Sequence, residues 1–288
     1  MPATGPAPLL PFLALAEELA RAAGALLLDF ARRRTDLHTD SKGRRRELVT
    51  AADRAAEQLI VAGLQQRCPE HGILAEEGVL TTAGEASRAG DWLWLVDPLD
   101  GTTNFVHDLP FYAVAIALAH RGVPVVGVVH APALRRTYTA AAGHGARCNG
   151  RPITVSTTRE LADALLVTGF SYNRNEPGRD DNGARLQRLL PLCRDLRRLG
   201  SAELDLCAVA HGNVDGYWEL YLAPYDVAAG AVVVREAGGR VTDLAGGEDW
   251  LHGGHIVASN GPLHDRLRVA VGPPPAHRGA TGAPRAIT

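Results

Sequence analysis

Apolar residues recur at helical spacing near the start of the chain. Phe12, Leu15, Leu19, Ala22, Leu26 and Phe30 share one face of residues 9–30. Pro11 and Glu17-Glu18 interrupt that run and no basic stretch precedes it, so it reads as an amphipathic core helix, not a signal peptide or membrane span. A second helix places Ala56, Leu59, Ile60, Gly63 and Leu64 on one side. Residues 92–96 form a buried strand expected to stop at Asp97-Pro98. Apolar runs at 112–120 and 123–130 flank Arg121-Gly122, a hairpin signal. The second half repeats the mixture: strands at 165–168 and 216–220, a helix at 203–211, and a helix at 226–237 closed by Gly238-Gly239. Hairpins mixed with helices predict an α/β fold of the mixed α+β kind, with layered sheets and helices instead of a simple doubly wound sheet.

The 288 residues suffice for one large domain or two closely packed halves, 9–150 and 151–272. Residues 1–8 and 273–288 are rich in Pro, Gly and Ala and read as tails. With 46% hydrophobic residues, 22% charged and a formal net charge of −2, the chain lacks the basic excess of a nucleic-acid binder. Its four cysteines (Cys68, Cys148, Cys193, Cys207) form no C-x-x-C pair, which points to reduced thiols and a cytoplasmic protein.

Candidate chemistry lies in Asp97-Pro98-Leu99-Asp100-Gly101-Thr102-Thr103-Asn104-Phe105, directly after a predicted strand. Two carboxylates stand three positions apart where the chain turns, and Gly101 allows backbone to approach a ligand closely. A short helix opening at Gly101 would leave the Gly101 and Thr102 amides free to bind an anion. An acidic turn with Asp100 as a helix cap is the plain alternative. Further carboxylates follow apolar runs or open helices: Glu76-Glu77 after Ile73-Leu74-Ala75, Asp226 after Pro224-Tyr225, and Asp53 with Glu57 four residues on.

These segments resemble the two signatures of the inositol monophosphatase family, D-P-x-D-G-T-x-N-F and W-D-x-A-x-G, with similarity over roughly residues 10–270. Leu48-Val49-Thr50-Ala51-Ala52-Asp53, Ala75-Glu76-Glu77-Gly78 and Gly200-Ser201-Ala202 extend it. The resemblance implies a sandwich like that of inositol monophosphatase and fructose-bisphosphatase, and a Mg²⁺-dependent, lithium-sensitive, homodimeric phosphatase. It implies Glu76, Asp97 and the Leu99 carbonyl as ligands of one metal, and Asp97, Asp100 and Asp226 as ligands of a second. It matches Thr102 to the threonine that orients the attacking water, and Asp53 to its hydrogen-bond partner. Glu76 is a further candidate to accept the water's proton. Leu99, Asp100, Gly101, Thr102, Gly200, Ser201, Ala202 and Glu219 match substrate-contacting positions. Lys42 falls in a basic loop near the active site. Tyr225 stands where the second signature has tryptophan, and Glu203 where relatives often carry a small residue. Both are expected to alter the substrate pocket.

An all-oxygen ligand set suits Mg²⁺ better than Zn²⁺. Four carboxylates balance two Mg²⁺, and a phosphate dianion would admit a third, giving two to three ions. The substrate implied is a small phosphorylated polyol or sugar, with myo-inositol-1-phosphate ahead of fructose-1,6-bisphosphate, histidinol phosphate and 3′-phosphoadenosine phosphates. A regulatory, RNA-associated role is a different class of reading. The eleven histidines contain no H-x-x-x-H pair, and Gly143, Gly145 and Gly150 form no dinucleotide fingerprint. Arg44-Arg45-Arg46 reads as a solvated loop that could attract an anionic substrate.

Overall fold

The computed structural model describes residues 9–33, 39–41, 48–78, 80–81, 91–172 and 174–273. Lys42, Arg44, Arg45 and Arg46 lie outside the described residues, as do 1–8 and 274–288. Helices α1 (Leu10–Arg32) and α2 (Ala51–Arg67) come first, with the antiparallel pair β1 (Thr39–Ser41) and β2 (Leu48–Thr50) between them. The large sheet contains β3 (Gly72–Ala75), β4 (Leu80–Thr81), β5 (Trp92–Asp100), β6 (Ala113–His120), β7 (Val123–Ala131), β8 (Arg136–Ala141), β9 (Ala146–Cys148) and β10 (Arg151–Pro152). Their spatial order is β10-β9-β8-β7-β6-β5-β3-β4. Helix α3 (Thr102–Val106) joins β5 to β6. A second sheet orders as β12-β11-β13-β15-β14, from β11 (Leu165–Thr168), β12 (Asp195–Arg197), β13 (Gly216–Leu220), β14 (Arg240–Thr242) and β15 (His255–Ser259). Its helices are α4 (Gly183–Leu189), α5 (Ala202–Ala210), α6 (Ala228–Glu236) and α7 (His264–Val271).

Strand alternation sorts these elements into layers, because successive side chains point to opposite faces. Along β6, Val114, Ile116 and Leu118 pack into a core with Leu15 and Leu19 of α1 and Ile60 and Leu64 of α2. Ala113, Ala115, Ala117 and Ala119 face the other way, toward Leu206 of α5 and Val232 and Val233 of α6. On the second sheet Tyr217 and Ile256 join that middle core, whereas Trp218 and Val257 face a third core with Leu189 of α4 and Leu267 of α7. The result is a helix–sheet–helix–sheet–helix sandwich. Since α5 lies between two sheets it is buried on nearly every side. Small residues set the middle spacing: a Cβ on Gly127 of β7 would collide with the Ala229 carbonyl of α6.

Each sheet supplies strand ends from a parallel pair. β3 runs parallel to β5, with Ala75 opposite Val96, so Glu76 and Asp97 emerge side by side. β11 runs parallel to β13, with Thr168 opposite Trp218, so Gly169 emerges beside Glu219.

Several boundaries differ from the sequence reading. β5 does not stop at Asp97-Pro98 but continues to Asp100, with a register shift against β6 between Asp97 and Asp100. Pro98 removes one ladder donor, and the bulge re-aims the flanking carboxylates. Helix α3 begins at Thr102, after Gly101 in the left-handed region at φ 92°. The helix expected from Asp226 is a 3₁₀ turn, Pro224–Asp226, followed by α6 from Ala228.

Candidate active site

Glu76, Asp97, Leu99, Asp100, Gly101, Thr102, Gly200, Ser201, Ala202, Glu219, Tyr225 and Asp226 all line one cavity of about 240 Å³. Asp97 is held by the Leu99 amide, 3.0 Å from its Oδ1. Asp100 meets the start of α5. Its Oδ2 accepts from the Ser201 hydroxyl at 2.5 Å and the Glu203 amide at 2.8 Å, and its Oδ1 accepts from the Ala202 amide at 3.2 Å. Asp226 reaches the cavity from its 3₁₀ turn, which packs against β5, and its Oδ2 accepts from the Ala223 amide at 2.7 Å.

Asp53 does not line the cavity. It is fully buried behind Thr102, whose hydroxyl has Asp53 Oδ1 at 3.1 Å and the Leu99 carbonyl at 3.0 Å as acceptors. The other Asp53 oxygen accepts from the Thr50 amide at 2.8 Å and the Thr50 hydroxyl at 2.5 Å. Thr50 in turn caps α2, completing a capping box. Asp53 therefore both starts a helix and engages Thr102. Glu219, which also lines the cavity, accepts from the Tyr217 hydroxyl at 2.7 Å. A Cβ on Gly169 would overlap the Glu219 carboxylate, so glycine there makes its room.

Electrostatics reflect this crowding. Burial, then the charge of Glu76, holds Asp97 well above the usual carboxylate range, and the same two causes raise Asp226. Asp100 is pushed up to about 6 by burial, against its three hydrogen-bond donors. Glu219 is pushed up to about 7 by burial, against the Tyr217 hydroxyl and the Arg198 charge. A cation placed among such carboxylates favours their ionised form and displaces their protons to solvent. Among the described residues, no three Asp, Glu, His or Cys side chains form a ready-made coordination group. Asp97 and Asp100 instead turn oxygens toward amides. The donors fit a hard cation nonetheless, since Glu76, Asp97, Asp100 and Asp226 on the wall offer carboxylates and Leu99 a backbone carbonyl, all oxygen.

One sequence expectation needs revision. Glu203 is absent from the cavity lining and fully buried, so it does not alter the pocket's polarity by facing it. Its carboxylate points to the start of α6, accepting from the Ala229 amide at 3.2 Å and from the Gly230 amide. Other contributors carried no assigned role in the sequence reading. Asn104 donates to the Phe111 and Leu199 carbonyls at 2.7 and 2.8 Å, tying the 199–200 loop to the first signature. Glu57 accepts from the Glu77 amide at 2.7 Å and fixes the corner that bears Glu76. Its position one turn after Asp53 was the available signal. Arg198 and Tyr172 also line the cavity, and nothing in their sequence surroundings marks them.

The sequence profile of the inositol monophosphatase family matches residues 9–272. An inositol-1-monophosphatase from Synechocystis is 42% identical over 275 residues, covering 95% of this chain and 93% of that protein. The Nus factor SuhB of Pseudomonas aeruginosa is 42% identical over 265 residues, covering 91% and 96%. The structure of an inositol monophosphatase from Anabaena superposes with a TM-score of 0.82 at 43% identity, covering 93% of this chain and 98% of that one. With a carboxylate-lined cavity at the strand ends of a layered α/β sandwich, the chain belongs to the inositol monophosphatase family and is a phosphoric monoester hydrolase of phosphorylated small molecules.

Proposed function

We propose that the protein hydrolyses a small polyol phosphate, myo-inositol-1-phosphate foremost, with Mg²⁺ held by Glu76, Asp97, the Leu99 carbonyl, Asp100 and Asp226. The observation that carries this reading is Thr102, backed by its hydrogen bond to buried Asp53, lining one cavity with the four carboxylates, Ser201, Ala202 and Glu219. Two to three bound Mg²⁺ would supply Lewis-acid stabilisation and a water of lowered pKa.

The chain's own residues do the rest. The Thr102 hydroxyl has one proton, and both nearby protein partners, Asp53 Oδ1 and the Leu99 carbonyl, are acceptors. Its lone pairs are therefore left to accept a hydrogen bond from the attacking water and aim it at phosphorus. Glu76 stands on the cavity wall to take that water's second proton. Amides opening α3 at Gly101 and Thr102 suit the phosphoryl oxygens. Glu219 and Ser201 offer polar groups to substrate hydroxyls, and Tyr225 shapes the pocket beside Asp226.

Phosphate release from a panel of polyol, sugar and nucleotide phosphates tests the assignment. Inositol-1-phosphate should give the highest kcat/KM. Activity should vanish with chelator, return with Mg²⁺, return poorly with Ca²⁺ and fall with Li⁺. Turnover in metal-free buffer, or a clear preference for a nucleotide, would overturn it.

The homodimer implied by the resemblance is checked by light scattering of the purified protein. No helix among the described residues is long and apolar enough to cross a membrane. Several relatives carry the name Nus factor SuhB, which favours a second, regulatory role alongside hydrolysis. A variant without phosphatase activity that still complements loss of the chain in its host would establish that role.

A further inference from the structure

Helix α6 begins two residues after Asp226 and has no cap of its own. Its N-cap residue is Val227, which offers no side-chain hydrogen bond, so the amides of Ala229 and Gly230 need an acceptor from elsewhere. Glu203 supplies it from the first turn of α5. One carboxylate oxygen takes the Ala229 amide and the other takes the Gly230 amide. Glycine at 230 makes the fit possible, because a Cβ there would lie 2.6 Å from both Glu203 Oε2 and Leu206 Cβ. The opposite side of the same helix start presses on β7, where Gly127 meets the Ala229 carbonyl.

Meanwhile the backbone amide of Glu203 donates to Asp100 Oδ2 at 2.8 Å. One fully buried residue thus binds Asp100 through its main chain and the helix that follows Asp226 through its side chain. These two carboxylates arrive from the end of β5 and from the 3₁₀ turn after β13, and lie 126 residues apart in sequence (226 − 100).

We infer that Glu203 is a positioning residue that sets the spacing of Asp100 and Asp226 for cations. This rests on the proposed metal-binding role of the two aspartates. Partners that hold metal ligands from behind change metal affinity by about 10–100-fold when removed.

Glu203→Gln keeps the side chain's shape and sets an amide NH₂ against one of the two N–H donors. Titration calorimetry with MgCl₂ alone, on purified phosphate-free protein, should show affinity about 10-fold or more below wild type. At saturating Mg²⁺ the KM for substrate should stay within about twofold, since Glu203 does not line the cavity. A lowered melting temperature with unchanged Mg²⁺ affinity would overturn the inference and leave Glu203 as a helix cap alone. Should Glu203→Gln fail to fold, Glu203→Asp retains both acceptor oxygens but falls one methylene short of the α6 amides. Weaker Mg²⁺ binding in that variant supports the positioning role, and wild-type affinity rejects it. Wild-type protein that takes up no Mg²⁺ would instead remove the metal-site reading beneath both.

Discussion

Asp53→Asn puts two roles of one carboxylate in the same experiment. Asp53 Oδ2 accepts two donors from Thr50, and Oδ1 faces the Thr102 hydroxyl. Asparagine keeps one acceptor. Facing the Thr50 N–H with an amide NH₂ would set donor against donor, so the Asn oxygen takes that side and the NH₂ turns to Thr102. The Thr102 oxygen then accepts where it had donated, its proton is left to the Leu99 carbonyl, and a lone pair intended for water is occupied. Rate should fall by about 10²–10⁴, the usual contribution of a positioned acid–base group. Stability should fall too, because two bonds to a charged acceptor become bonds to a neutral one inside a capping box. About 1–2 kcal/mol is the expected scale, or roughly 2–8 °C in melting temperature for a chain this size. Thr102→Ala should cost a similar factor in kcat, whereas Thr102→Ser keeps the hydroxyl and should stay near wild type. With both residues proposed to act on one water, Asp53→Asn with Thr102→Ala should be barely slower than the poorer single variant. The assays are kcat and KM by phosphate release, Mg²⁺ affinity by calorimetry, and thermal melting for all four members of the cycle. A near-normal kcat for Asp53→Asn with a lowered melting temperature, or fully multiplicative losses in the double variant, would refute the pairing.

Gly169→Ala should displace Glu219, whose carboxylate occupies the space a Cβ would need, and raise KM by about tenfold or more at little change in Mg²⁺ affinity. An unchanged KM would show that Glu219 does not serve substrate binding. Tyr225→Trp should alter the ratio of kcat/KM values between inositol and sugar phosphates more than it alters metal dependence, because Tyr225 lines the cavity without supplying a carboxylate. Identical substrate ratios would count against that. His264 is fully buried between the Thr242 and Ser259 hydroxyls, at 2.9 and 3.1 Å, and burial holds it down to about 4. With an unfolded value near 6.5, the unfolded chain binds the extra proton first. Stability from this residue is therefore present above about pH 6.5 and lost as pH falls toward 4. Urea midpoints of His264→Gln should decline less steeply over that window than those of wild type, and parallel declines would reject the assignment.

Much of the fold was legible because it depends on short-range patterns. The helical spacing from Phe12 to Phe30 appears as α1, the Arg121-Gly122 turn joins β6 to β7, and β11 and β13 span residues 165–168 and 216–220 as read. Elements without such a pattern escaped notice. α7 carries alternating arginines with only His264, Leu267 and Val271 buried, and α4 has seven residues, too few for a clear period. The end of β5 was misplaced because proline does signal a stop, yet a bulge lets the strand resume its pairing at Asp100.

For the site, sequence by itself determined the chemical inventory: which carboxylates, which threonine and which glycines stand beside turns. It did so because each signature is a contiguous stretch whose turn chemistry is local. Only the tertiary structure decided what those groups do to one another. Parallel pairing of β3 with β5 brings Glu76 beside Asp97, and the close approach of α6 to β7 at Gly127 carries Asp226 to the same wall. Glu203 shows the limit most clearly. Its number in the chain places it next to the cavity-lining Ser201 and Ala202, but one step along a helix rotates the side chain by about 100°. That rotation turns the Glu203 carboxylate away from the cavity and onto the amides of a helix 26 residues further on.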